Sequence, residues 1–292
     1  MNEISYIIQV LVSGLGLGCI YGLIGIGYCV IYNASGIVNF AQGAFVMLGG
    51  MITQLLLWNH GVPLLLSGAI AVACVVAIAI VIERIVVRPL WDRNASTFVM
   101  ILATLAVQIV LEGATLLIAG DQPKTLPVFT DLPPLRIGTV AISYQLIWIA
   151  AASAVIIFGL AAFFGHTRVG KAMRACAINR EAAALQGIRV STMLMMAFAL
   201  SAALGAIAGI LVTPTQVTAF NVGLPFAIAG FIAAIVGGFG RPFGAFLGGL
   251  ALGVTQAGAV VVFGSGFKSG AALAVLLIFL FVRPQGILGT AK

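Results

Sequence analysis

Charge is what this chain has least of. Only 7% of its 292 residues are Asp, Glu, Lys or Arg, against roughly 25% in an ordinary soluble domain. Fourteen basic and seven acidic residues cannot solvate the surface of a 30.1 kDa body, so a soluble globular protein is excluded. A content of 62% hydrophobic residues excludes disorder as well. Cysteine is scarce: Cys19, Cys29 and Cys74 lie inside apolar runs and Cys176 in a basic stretch, which is no disulfide framework. His60 and His166 stand apart from other ligands, and no Ser-His-Asp or paired-carboxylate pattern occurs, so an intramembrane enzyme or a metal site has no footing. What is abundant is apolar length. Mean hydropathy is +1.21, and the runs are continuous over about twenty residues rather than alternating over about ten, which rules out a membrane β-barrel. The fold class is therefore an all-α polytopic transmembrane bundle.

The runs are Ile7–Tyr32, Gly36–Leu57, Leu64–Ile82, Ala95–Ala119, Ile142–Phe164, Met193–Thr213, Leu224–Phe239, Phe243–Phe263 and Gly270–Val282. The seventh and ninth are short, so nine spans are expected with eight as the alternative, in a single transmembrane domain over residues 1–292. The first run is too long for a signal-peptide core and has no basic region before it. Eleven of the fourteen basic residues fall on one side: Arg84, Arg88, Arg93, the five in Arg168–Arg189, Arg241, Arg283 and Lys292. Lys124, Arg136 and Lys268 fall on the other. The positive-inside bias places the N-terminus outside and the C-terminus in the cytoplasm. It also accounts for the net charge of +7 with no nucleic-acid partner. Between spans, the outer loop 120–138 is stiffened by Pro123, Pro127, Pro133 and Pro134, and the inner loop 166–190 carries five basic residues and one acid.

Glycine numbers 36 and recurs at spacing four: Gly14-Gly18-Gly22, Gly205-Gly209, Gly240-Gly244-Gly248 and Gly249-Gly253. Such stripes let helix backbones approach closely, whether in fixed packing or at a sliding interface. Thr104, Gln108 and Glu112, also four apart, share one face of the fourth span. Glu112 lies roughly 10 Å from that helix's outer end at 1.5 Å per residue. An ionisable group at such depth either ties helices together or walls a translocation path. Asn33, Ser35, Asn39 and Gln42 cluster where the first two spans turn, as helix-end caps or as an inner gate. Thr255, Gln256 and Ser201 fit helix–helix hydrogen bonding. Gly264–Gly270 imitates a phosphate-binding loop but lacks the glycine before Lys268, so energy must come from a partner or an ion gradient.

In the inner loop, Asn179 is a good N-cap, Glu181 complements the dipole of a first turn, Ala182, Ala183, Ala184 and Leu185 favour helix, and Gly187 can end it. A helix of two turns is marginal alone in water, so one here is expected to dock. Glu181-Ala182-Ala183, then Ala184-Leu185-Gln186 and Gly187, resembles the cytoplasmic-loop signature of ABC importer permeases. By that resemblance Asn179, Arg180, Glu181, Ala182, Ala183, Ala184, Leu185, Gln186 and Gly187 form a coupling helix seated on an ATP-binding subunit. Five further stretches, Tyr21–Gly49, Glu83-Arg84 with Arg88-Pro89, Arg168–Ala177, Phe231–Gly253 and Arg283–Gly289, resemble the H-type permease of bacterial branched-chain amino acid importers. The resemblance implies a multi-pass inner-membrane protein that moves branched-chain or other hydrophobic amino acids by alternating access. It implies as partners an M-type permease, two ATP-binding subunits that hold ATP and Mg²⁺, and a periplasmic solute-binding protein, this chain carrying no cofactor. Relatives in the family move urea, short amides or aromatic carboxylates, which are alternative solutes. An ion-coupled secondary transporter would show intramembrane charged pairs or an inverted repeat; Glu112 is its one foothold.

Overall fold

The structure, a computed structural model, describes residues 3–137, 140–283 and 285–288. Each apolar run lies largely in one helix: α1 (Glu3–Ser35), α2 (Gln42–His60), α3 (Leu64–Ile82), α5 (Thr97–Ala119), α6 (Tyr144–His166), α9 (Val190–Val212), α10 (Gly223–Gly237), α11 (Pro242–Phe263) and α12 (Lys268–Val282). Short helices α4 (Arg88–Asp92), α7 (Arg168–Ile178) and α8 (Arg180–Leu185) join them. Seven of the described helical segments are long and apolar enough to cross a membrane, and α10 is a shorter apolar helix.

The core forms around α1, α2, α9, α10 and α11, while α3, α5, α6 and α12 present large apolar side chains outward. The glycine stripes decide which helices meet. Gly14, Gly18 and Gly22 of α1 face Gly249 and Gly253 of α11, and a Cβ built on Gly18 would lie 2.7 Å from the Leu250 Cα. Gly244 and Gly248 close on Gly237 of α10, and Gly209 on Val46 of α2. Lipid offers no hydrophobic drive for association, so backbone contact of this kind carries the packing.

Three features depart from the expected organisation. The second span does not begin at Gly36: residues 36–41 are non-helical and α2 starts at Gln42. Gly36 has φ +68°, and the Ser35 hydroxyl takes the Ile37 amide at 3.1 Å, so the chain turns there despite its apolar Ile37, Val38 and Phe40. The basic stretch after α6 is itself helical, α7, capped by Thr167 Oγ1 on the Gly170 amide at 2.9 Å. The proline-rich segment after α5 ends in a hairpin of β1 (Leu135–Ile137) and β2 (Val140–Ile142), held to α1 by Gln9, whose side-chain amide bonds both backbone groups of Ala141 at 2.8 and 3.0 Å.

Arg88, Arg180 and Arg241 gather at one end. Arg180 stacks over Trp91 at 6.0 Å and meets Gly36, Arg88 reaches the Ser191 carbonyl at 3.2 Å, and Arg241 bonds the Leu288 carbonyl. Lys124, paired with Thr218, lies toward the end where the β-hairpin sits.

Candidate functional site

Two polar constellations stand out, and the first is deep in the bundle. A Cβ built on Gly27 would lie 2.9 Å from Ser201 Oγ and against the Gln42 side chain. Helix α2 therefore begins level with Gly27, about 12 Å below the end of α1 at 1.5 Å per residue. Helix α10 also starts in the interior: after α9 ends, residues 213–222 fold back, and Gly223 lies with its backbone against Gly43. Two helix N-termini thus meet inside the bundle.

Backbone groups freed at such depth need partners within the protein, and α5 supplies them. Gln108 Oε1 accepts the Ala44 amide at 2.6 Å and Thr104 Oγ1 the Phe40 amide at 3.2 Å. Gln108 Nε2 donates to Glu112 Oε1 at 2.7 Å and lies 2.5 Å from where a Cβ on Gly223 would be. Asn39 Oδ1 accepts the Ala41 amide at 3.2 Å. Gln42 Nε2 donates to the Ser201 carbonyl at 3.1 Å, and the Ser201 hydroxyl sits 2.6 Å from Gln42 Oε1 and 2.9 Å from the Gly27 carbonyl. So the structure brings Asn39, Gln42, Thr104, Gln108 and Glu112 together around the start of α2. Thr104 and Gln108 are buried and Glu112 is half-buried. Asn33 stands apart, donating to the Gly240 carbonyl at 2.8 Å and so holding the α10–α11 turn to α1. The spacing identified the α5 face, and Ser201 makes the helix–helix hydrogen bonds expected of it; the part played by Gly43 and Gly223 had no signal beyond small size.

The second constellation is the short helix of the basic loop between α6 and α9. Asn179 Oδ1 accepts the Ala182 amide at 3.0 Å, closing the cap on α8. Gly187, at φ +80°, adopts the left-handed turn that ends it. Ala183 is buried beneath, whereas Leu185 and the preceding Ile178 are each 88% exposed. Arg180 runs the other way, between the Trp91 ring and Gly36, where a Cβ would lie 2.6 Å from its Nη2. Trp91 and Gly36 were not among the expected site residues; a tryptophan beside a basic cluster was the available hint.

A bundle whose helices break at depth and are capped by their neighbours is the architecture of a polytopic helical membrane protein. Its family follows from similarity: branched-chain amino acid transport system / permease component matches residues 10–282, and the chain belongs to that family. It is 35% identical to the high-affinity branched-chain amino acid transport system permease protein BraD of Pseudomonas aeruginosa, over 99% of this chain and 98% of BraD. It is 30% identical to LivH of Escherichia coli K12, covering 99% and 97% of the two chains. A probable LivH of the archaeon Methanocaldococcus jannaschii is 29% identical over 91% of this chain and 88% of that one. Among solved structures, PsaBC from Streptococcus pneumoniae in complex with Fab shares the fold, with a TM-score of 0.53, 12% identity, and coverage of 95% of this chain and 91% of that one.

Proposed function

We propose that this chain is one permease half of an ATP-driven importer of branched-chain amino acids in the bacterial inner membrane, with its N-terminus outside and C-terminus in the cytoplasm. The observation that carries the coupling role is α8: a capped two-turn helix at the basic end, with Leu185 left 88% exposed. An apolar side chain so placed outside the bilayer gains by docking, and an ATP-binding subunit is the partner this reading assigns it. ATP and Mg²⁺ belong to two such subunits, while an M-type permease supplies the other half of the path and a periplasmic binding protein delivers the solute.

Arg180 gives the motion a route. Held between Trp91 and Gly36, it links displacement of α8 to the turn at residues 36–41, and that turn leads into the buried start of α2. Asn39, Gln42, Thr104, Gln108 and Glu112 surround this start, so alternating access would rearrange the polar wall at the depth where an amino acid must pass. Asn33 tethers the neighbouring α10–α11 turn.

Uptake of labelled leucine by cells lacking the gene tests the proposal. Wild type should restore uptake. Ala183→Pro, which breaks the middle of α8 at a cost of about 3 kcal/mol to a helix, should reach the membrane and restore less than a tenth of it. Full restoration by Ala183→Pro would remove the coupling role. Failure of wild type with leucine, but success with urea, an amide or an aromatic acid, would change the solute.

A further inference from the structure

A crevice at the basic end of the structure lies outside the polar cluster around the start of α2. It is a groove of about 450 Å³ between α1, α6, α7 and the α10–α11 turn, within the size range of small-molecule sites. Its walls are apolar, including Val30 on α1 and Ile157, Leu160 and Phe164 on α6. They run from the basic end toward the middle of the bundle for about 10 Å along each helix at 1.5 Å per residue. The groove opens outward, since Phe243 at its rim is 59% exposed and Ala161 is exposed too.

Its mouth is cationic. Arg174 lines it with Arg241, which also bonds the Leu288 carbonyl, and among the described residues no carboxylate does. Arg174 is exposed and makes no ion pair or hydrogen bond among the described residues. Arg168 and Lys171 share its exposed face of α7, at three-residue spacing, while Gly170, Met173 and Cys176 face inward. Helix α11 begins at the same rim with no side chain capping its first amides.

We infer that the groove is a binding site for one anionic phospholipid, its phosphate between Arg174 and Arg241 and one acyl chain along α1 and α6. Three possible occupants fit differently. An amino acid would place its ammonium near two guanidinium groups and leave most of the apolar wall uncovered. A soluble subunit could meet the arginines but could not follow the wall into hydrocarbon. An anionic lipid matches both the charge of the mouth and the apolar length behind it, the pattern expected of basic pockets between membrane helices.

Native mass spectrometry of the full-length chain, purified in mild detergent with whatever subunits accompany it and titrated with phosphatidylglycerol or phosphatidylcholine, tests this. Wild type should retain one phosphatidylglycerol in preference to phosphatidylcholine. Arg174→Gln should weaken that binding about fivefold, the loss of one cation near an anionic headgroup. Ala161→Trp, which fills the groove and leaves the arginines in place, should abolish it while the protein stays monodisperse. Equal retention of both lipids, unchanged retention by Ala161→Trp, or displacement of the adduct by millimolar inorganic phosphate would each overturn the site.

Discussion

Arg88 and Glu83 illustrate how this chain keeps a charge inside an apolar body. Glu83 is fully buried, and Arg88 meets both its oxygens, at 2.9 and 3.1 Å, while also bonding the Ser191 carbonyl. Residues five apart do not face each other on an α-helix. Here they do because Glu83–Val87 forms a π-turn, which inserts an extra residue per turn. Removing one partner strands a buried charge, which costs about 3–5 kcal/mol. Arg88→Ala should therefore lower the unfolding free energy in detergent by about 3 kcal/mol, and Glu83→Gln combined with it should recover most of the loss. Equal instability of the single and double variants would assign the effect to the Ser191 contact instead. The residues of this pair were visible in the sequence. Their pairing was not, because it depends on a local helix type that no residue pattern announced.

Among the elements, the contact of α1 with α11 leaves no room for a side chain. A single added methyl at Gly18 would press on the Leu250 Cα and the Gly249 carbonyl, at 2.7 and 2.9 Å, and neither backbone can swing aside as a side chain would. Gly18→Ala should cost about 1–3 kcal/mol, the range for overpacking. Gly258→Ala, on the same helix α11 with nothing within 4 Å, should be neutral or slightly stabilising, as alanine is the better helix former. Detergent unfolding of the two variants side by side checks the comparison. The glycine stripes and the cap of α8 were legible because both are written in local spacing. The start of α2 was not: Ile37, Val38, Phe40 and Ala41 read as helix, and the side chains that take the Phe40 amide before it and the Ala44 amide within it come from α5. For the same reason Thr104, Gln108 and Glu112 could be placed on one face, but not against two meeting N-termini.

At the scale of the molecule, the sidedness of charge makes an orientation measurable. In a Cys74→Ala background, a cysteine at exposed Gln122 should react with an impermeant maleimide in intact cells with an opened outer membrane. One at exposed Gln186 should react only after permeabilisation. Native Cys176 is buried, and burial pushes its thiol above its ordinary range although Arg180 pulls it back, so at neutral pH it should stay silent. Reversed labelling would invert the topology and place α8 out of reach of any ATP-binding subunit. Exposed apolar faces on α3, α5, α6 and α12 leave ample surface for lipid and for other components of the transport system, and composition alone foretold that excess.

The pairing of α1 with α11 also bears on how the protein is made. Helix α1, which carries Gly14, Gly18 and Gly22, leaves the ribosome well before α11, which carries their counterparts Gly249 and Gly253. Until then the groove on α1 has no matching backbone, and lipid or the insertion machinery must occupy it. Membrane insertion and final assembly are thereby separated in time, and a chain truncated before α11 would be integrated yet never locked, a substrate for quality-control proteolysis rather than a smaller permease.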